Sequence, residues 1–171
     1  KSLSKEVPFR VSIITDLIAG EGYKKLVGQE DEVKTLIILD RFLFRKESGW
    51  GNIWRNILKA LLFPIQVILL IRNDRRHPGA FYFAHSMYYL WLASFAGLNY
   101  VGTPQGSEVL LKLDKSFFYR WFSLRAFRKA KFLTVDSEAM RLKIHSMSDQ
   151  VVYIVQNGIN VESIKELNST D

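Results

Sequence analysis

The sequence predicts an α/β fold, in which parallel strands form one sheet of at least five strands with helices on both faces. Short runs of β-branched and aromatic residues alternate along the chain with longer runs whose apolar residues recur at helical spacing. This order is typical of βα units, in which a helix joins neighbouring parallel strands. The size agrees with a single domain, because 171 residues that are 48% hydrophobic can bury a sizeable core.

The elements follow from these patterns in chain order. Strands are predicted at residues 10–15, 35–39, 80–84, 99–103, 132–135 and 151–155. Helices are predicted at residues 51–72, 87–96, 116–130 and 137–146. The charged segment 28–34 is predicted to be a solvated turn.

The first predicted helix is the most apolar part of the chain. Past Pro64 it is apolar on almost every side, which predicts a kink followed by deep burial or a membrane contact. The most apolar run, residues 60–71, has twelve residues, fewer than the roughly 20 that span a bilayer. Its helical stripe consists of Ile53, Trp54, Ile57, Leu58, Leu61 and Ile65.

Charge and composition limit the classes of function. A net charge of +7 predicts an anionic partner, such as a nucleotide or a phospholipid surface. No nucleic-acid partner is predicted, because the sequence lacks the aromatic sheet motif of RNA-binding domains. The absence of cysteine excludes disulfides, Cys-ligated zinc and thiol catalysis, and three scattered histidines predict no metal site.

Polar residues follow the ends of most predicted strands. Open parallel sheets bind ligands beyond the carboxyl ends of their strands, so this edge, called the rim below, is the predicted site. The catalytic candidate is His85, and the binding candidates are Ser86, Gly106, Ser107, Glu108, Ser137, Asn157 and Gly158.

Each candidate also has a purely structural interpretation. Ser107 is a good helix N-cap, and Glu108 suits the first helical turn next to it. His85 could be a structural histidine, the segment 136–138 a capping arrangement, and Asn157-Gly158 a turn.

Four short motifs resemble the N-terminal, acceptor-side domain of a family 4 retaining glycosyltransferase with the two-domain GT-B architecture. The motifs are "FAHS" at 83–86, "TPQGSEVL" at 103–110, "VDSEAMR" at 135–141 and "QNGIN" at 156–160, in the family's order. Phe83, Gln105, Glu108 and Gln156 depart from the residues usual there, as does Lys131 before its strand. The resemblance covers about residues 80–160 well and the first 50 loosely.

The resemblance implies a Rossmann-like acceptor domain over residues 1–160 and a linker or tail over 161–171. The first strand would then lie upstream, although "RVSIITDLIAGEG" could be that strand instead. A separate C-terminal domain would bind most of the nucleotide sugar, so this chain alone is expected to be inactive.

The implied reaction moves a sugar, with retention, from a nucleotide-sugar donor to a glycan or lipid-linked acceptor, as in cell-surface polysaccharide synthesis. His85 would lie near the donor sugar or its phosphate, Gly106, Ser107 and Glu108 near hydroxyls, and Ser137 on the rim. Asn157 and Gly158 would lead into the linker. The resemblance implies no cofactor and no metal, and a cytoplasmic protein peripheral to the inner membrane face.

Two alternatives to the enzyme and one surface remain open. The chain could be a non-catalytic Rossmann-like binding module, or a partner subunit that supplies only the acceptor face. Cations mixed with aromatic residues fit an anionic membrane surface, unless Trp54 and Trp121 are core residues and the arginines are simply solvated. The residues of this mixture are Trp50, Trp54, Arg55, Lys59, Arg72, Arg75, Arg76, Arg120, Trp121, Arg125, Arg128 and Lys129.

Overall fold

The computed structural model describes residues 12–15, 32–35 and 49–155 of the chain. The chain divides into two compact units, Lys1–Arg76 and His77–Asp171, which are described separately below. The predicted domain boundary at residue 160 lies outside the described residues.

The first unit contains two parallel strands, β1 (Ser12–Thr15) and β2 (Glu32–Thr35). The second strand corrects the prediction of a turn over 28–34. Charged Glu32 and Lys34 alternate with β-branched Val33 and Thr35, and this period of two is typical of a strand with one solvated face. The rest of the predicted strand 35–39 lies outside the described residues.

The long helix α1 (Gly49–Arg76) extends beyond the predicted 51–72 at both ends, and it continues through Pro64 without a break. Several apolar residues of the predicted stripe are exposed, whereas Gln66 and Leu70 are buried. By length and composition alone, the stretch Asn56–Arg76 could cross a membrane, because it is 21 residues long and contains an 18-residue window with a mean hydropathy of 1.4. The predicted run 60–71 forms the middle of this stretch, and Lys59 and Arg72 bound it on its two sides. The exposed stripe residues are Ile53, Trp54, Ile57, Leu61 and Ile65.

The second unit is an α/β arrangement around a four-stranded parallel sheet, which confirms the predicted class. Its strands lie in the order β3-β4-β5-β6. They are β3 (Tyr82–His85), β4 (Tyr100–Thr103), β5 (Leu133–Val135) and β6 (Val152–Ile154). The helices are α2 (Met87–Ala96), α3 (Phe117–Lys129) and α4 (Glu138–His145), all within a residue or two of the predicted bounds.

Spatial strand order follows chain order, so each connection moves one strand along in the same direction. Connections of the usual right hand then carry α2, α3 and α4 to the same face of the sheet. The prediction of helices on both faces is therefore not met within the described part of this unit. On the opposite face Phe83 is 66% and Tyr153 55% exposed. The prediction of five strands in one sheet is likewise not met, since the six described strands divide between two sheets.

The helix-covered face is formed by one row of aligned residues, Ala84, Gly102, Leu133 and Val152. Gly102 has no room for a side chain. A Cβ atom there would lie 2.8 Å from a methyl carbon of Leu90 on α2 and 2.8 Å from one of Leu133. The glycine thus lets α2 approach the sheet closely.

Aromatic residues join α2 to α3. The rings of Trp91 and Tyr119 meet edge to face at 4.9 Å, and those of Phe95 and Phe122 lie 5.3 Å apart. The guanidinium of Arg125 lies 4.6 Å from the centre of the Phe95 ring, so this arginine is stacked rather than simply solvated.

Candidate functional site at the carboxyl edge of the sheet

Three successive strands end on the rim, as predicted. Because β3, β4 and β5 are parallel, the residues at or just after their carboxyl ends share one edge of the sheet. That edge carries His85, Gly106 and Ser137. Asn157 and Gly158 lie outside the described residues.

Glu108 ties two rim segments together through one carboxylate oxygen. Its Oε2 accepts a hydrogen bond of 2.7 Å from the backbone N–H of Met87, the first residue of α2. The same oxygen accepts one of 3.1 Å from the backbone N–H of Gln105, in the loop after β4. A carboxylate at a helix N-terminus also interacts favourably with the helix dipole. Glu108 therefore caps a helix 21 residues away in the sequence.

Ser86 has a backbone conformation that is unusual for a residue with a side chain. Its φ is 69° and its ψ 154°, and it is the one non-glycine residue with positive φ in the described part of the chain. This region is essentially restricted to glycine and costs about 1–3 kcal/mol. The backbone is held on both sides: its N–H donates to the carbonyl of Thr103 (2.9 Å), and its carbonyl accepts from Leu90 (3.2 Å). Its hydroxyl makes no capping bond to α2.

The side chain of His85 is exposed, so His85 is not part of the buried core. Ser137 lies at the N-cap of α4 with extended dihedrals, but its hydroxyl makes no capping hydrogen bond. The prediction of a capping arrangement is thus met by the backbone of Ser137 and not by its side chain.

The loop after β4 turns directly into helix at Gly106. Ser107 has helical dihedrals (φ −63°, ψ −28°) and no side-chain capping bond, so its predicted role as an N-cap is wrong. The carbonyl of Gln105 accepts from the N–H groups of Glu108 and Val109, which makes Gln105 the residue that starts this turn. Residues Glu108–Lys112 then form a short π-helix, a rare element that is frequent at functional sites.

Two features of the site were not predicted from the sequence. The hydroxyls of Thr103 and Thr134 form a hydrogen bond of 2.5 Å across the ends of β4 and β5. The hydroxyl oxygen of Tyr119 on α3 is buried, with no hydrogen-bond partner among the described residues. Burial, and to a lesser extent the nearby Glu108 carboxylate, raises the pKa of Tyr119. Both depend on contacts between residues distant in sequence, which no local pattern encodes.

The chemistry available at the rim is polar and mostly neutral. Hydroxyl groups of a ligand can bind to the exposed imidazole of His85, to the Glu108 carboxylate, and to the hydroxyls of Ser86 and Ser137, which make no capping hydrogen bonds. The imidazole can also interact with a phosphate. No group of three or more potential metal ligands occurs among the described residues.

A cavity of about 680 Å³ lies away from the rim. Its walls include Arg120 and Arg128 on α3, His145 at the end of α4, and the loop after α4, which contains Asp149. This loop enters β6 at the amino end of the strand, so the cavity is not part of the rim.

No protein-family model matches the chain. No curated protein matches it either.

Proposed function

We propose that this chain is the acceptor-side domain of a retaining glycosyltransferase that resembles family 4. It would help to transfer a sugar from a nucleotide-sugar donor to a hydroxyl of a glycan or lipid-linked acceptor. One observation carries the proposal: "FAHS", "TPQGSEVL" and "VDSEAMR" lie at the carboxyl ends of three successive parallel strands and share one edge of the sheet. Motifs matched by chance in the sequence would have no reason to fall at the carboxyl ends of three successive strands.

The exposed side chain of His85 suits a group that meets the donor sugar or the phosphate that leaves with the nucleotide. As an imidazole it can donate a hydrogen bond to an oxygen on which negative charge develops. The hydroxyls of Ser86 and Ser137 make no capping bonds, which leaves them to bind sugar hydroxyls.

The proposal changes the role of Glu108. Its Oε2 accepts two backbone hydrogen bonds, so Glu108 is mainly a positioning residue that fixes the Gly106–Ser107 turn against the start of α2. The glycine at 106 leaves backbone accessible, since only Met140 Sδ, at 3.7 Å, lies near its missing side chain. An acceptor hydroxyl can therefore approach this turn closely.

The direct test replaces His85 by Ala in the enzyme that joins this domain to its donor-binding domain. Turnover should fall about 100-fold, the usual effect of removing one group that stabilises developing charge. The melting temperature should stay unchanged, because the imidazole is exposed. His145→Ala is the matched control, an exposed histidine at the far end of α4.

Full turnover in His85→Ala would overturn the proposed role of this residue. A loss of stability on the order of 2 kcal/mol with activity intact would return it to a structural role.

A second test uses the chain as it is. Because nucleotide binding is assigned mainly to the other domain, calorimetry with UDP and GDP sugars should show no binding tighter than millimolar. Micromolar affinity for either nucleotide sugar would contradict the acceptor-side assignment and favour an independent binding module.

A further inference from the structure

Five large apolar side chains are exposed within twelve residues of the second unit. Phe117 is 77%, Phe118 73%, Leu111 59%, Trp121 50% and Leu110 41% exposed. They lie on the π-helix and on the first turns of α3, which follow β4 at its rim end. Large apolar residues clustered on the surface mark an interaction site.

The same segment is firmly anchored, so its exposed residues are not a detached part of the core. Val109 is fully buried and Leu113, one helical turn later, is 1% exposed. The side chain of Ser116 accepts a hydrogen bond from the N–H of Tyr119 and caps α3. The segment therefore uses Val109 and Leu113 for packing and presents Leu110 and Leu111 to solvent.

Cations alternate with these apolar residues along the chain. Lys112, Lys115 and Arg120 are exposed, and none of them forms an ion pair within residues 49–155. The one acidic residue between Leu110 and Trp121 is Asp114, and it forms an ion pair of 2.6 Å with Lys143. We call the five apolar residues and three cations the aromatic-basic patch.

We propose that the aromatic-basic patch inserts its apolar side chains into the surface of an anionic phospholipid bilayer. Aromatic rings and leucines enter the boundary between headgroups and acyl chains, while flanking cations meet anionic headgroups. A second copy of the chain is a poorer occupant, because each copy carries a net charge of +7 and the patch is itself basic. Membrane binding does not depend on glycosyl transfer, so either can fail without the other.

The test measures binding of the 171-residue chain to vesicles by sedimentation, at about 50 mM salt, with phosphatidylglycerol mixed into phosphatidylcholine. The double variant Phe117→Ser/Phe118→Ser should weaken binding at least tenfold, since two exposed rings no longer leave water. The double variant Lys112→Gln/Lys115→Gln should weaken it roughly fivefold per charge. Binding should fall at about 0.5 M salt, where screening shortens to a few ångströms, and should be much weaker on pure phosphatidylcholine.

The matched control is Leu142→Ser, which removes an apolar side chain that is 59% exposed on α4, outside the patch. It should bind vesicles like the unchanged chain. The proposal is overturned if the unchanged chain does not bind anionic vesicles. It is also overturned if the Phe117/Phe118 variant binds these vesicles as tightly as the unchanged chain. The second result would assign membrane attachment to another surface, such as α1. Self-association in sedimentation velocity that only this variant abolishes would assign the patch to a second copy.

Discussion

At the residue scale, Glu108 is the group whose removal should change the rim most. Glu108→Ala deprives the N–H groups of Met87 and Gln105 of a charged acceptor. Hydrogen bonds to charged groups contribute about 1.5–3 kcal/mol when buried, and these are partly exposed, so we expect a loss of about 1–2 kcal/mol in the free energy of unfolding. Urea denaturation measures it. Ser107→Ala, which removes an exposed hydroxyl without a capping bond, should change stability by less than about 0.5 kcal/mol. If Glu108→Ala lost as little stability as Ser107→Ala, the hydrogen bonds of Glu108 would contribute nothing measurable.

Two glycines should respond in opposite ways to the same added methyl group. Gly102→Ala would place a Cβ atom 2.8 Å from side-chain carbons of Leu90 and Leu133, so we expect a loss of about 1–3 kcal/mol from overpacking. Gly106→Ala meets nothing closer than 3.7 Å and should leave stability unchanged or slightly raised, because the unfolded chain loses freedom. Thermal unfolding of both variants checks the pair. A destabilised Gly106→Ala with an unaffected Gly102→Ala would contradict the described packing.

Strain at Ser86 leads to a third prediction at this scale. Ser86→Gly should raise the free energy of unfolding by up to about 1 kcal/mol. A φ of 69° strains the folded backbone of a serine but not that of a glycine. The relief of this strain should exceed the stability lost because glycine makes the unfolded chain more flexible. If Ser86 binds a sugar hydroxyl as proposed, the same variant should lose activity in the joined enzyme. A Ser86→Gly chain that unfolds more easily than the original would show that the serine conformation is not strained.

At the element scale, most helix and strand positions could be predicted, because they depend on local spacing. The predicted helix 87–96 coincides with α2, and the strands β3 to β6 lie within a residue or two of prediction. The arrangement of helices around the sheet was not predictable from spacing. It follows from strand order, which local patterns do not contain. Local patterns also placed Glu108 in a first helical turn. They could not predict its hydrogen bond to Met87, which is 21 residues away in the sequence.

The contact between β4 and α3 predicts a loss of stability at alkaline pH. The hydroxyl of Tyr100 donates a hydrogen bond of 2.5 Å to the carbonyl of Ala126, and burial raises the pKa of Tyr100 above its usual 10.0. The folded state therefore keeps Tyr100 neutral where the unfolded chain ionises it. This stabilising contribution is fully present below pH 10 and should fall as the pH rises above it. Tyr119, whose pKa is also raised, should act in the same direction.

Two phenylalanine variants separate the hydrogen bond from the ionisation. Tyr100→Phe should lower stability at pH 7 by about 1 kcal/mol, because the Ala126 carbonyl loses its donor. Tyr119→Phe should be neutral or slightly stabilising at pH 7, since the Tyr119 hydroxyl is buried without a partner among the described residues. Both should lose less stability than the original chain as the pH rises from about 10 to 12. Urea denaturation across this range measures the slopes, and unchanged slopes would contradict the raised pKa values.

At the scale of the whole molecule, the two compact units suggest which part of the chain can fold alone. The four-stranded sheet and the three helices that follow its strands all lie between residues 77 and 155. Their largest buried side chains include Leu90, Phe127, Leu133, Met140 and Ile144, each 0% exposed and drawn from α2, α3, β5 and α4. A core supplied by every helix of one unit is expected to hold that unit together.

We therefore expect residues 77–171 to fold when expressed without residues 1–76. The fragment should unfold in one cooperative urea transition, with probes of helix content and of tryptophan environment giving the same midpoint. Its stability should be modest because of its small size, since a chain of about 95 residues buries a smaller share of its surface than a larger domain does.

Phe127→Ala in the fragment is the control for a specific core. It should cost about 3–5 kcal/mol or abolish the transition, because the ring is fully buried. Surface variant Leu142→Ser should leave the midpoint within error, since that side chain is 59% exposed. A fragment with a broad transition, or one insensitive to Phe127→Ala, would mean that the sheet and its helices need residues 1–76 in order to fold.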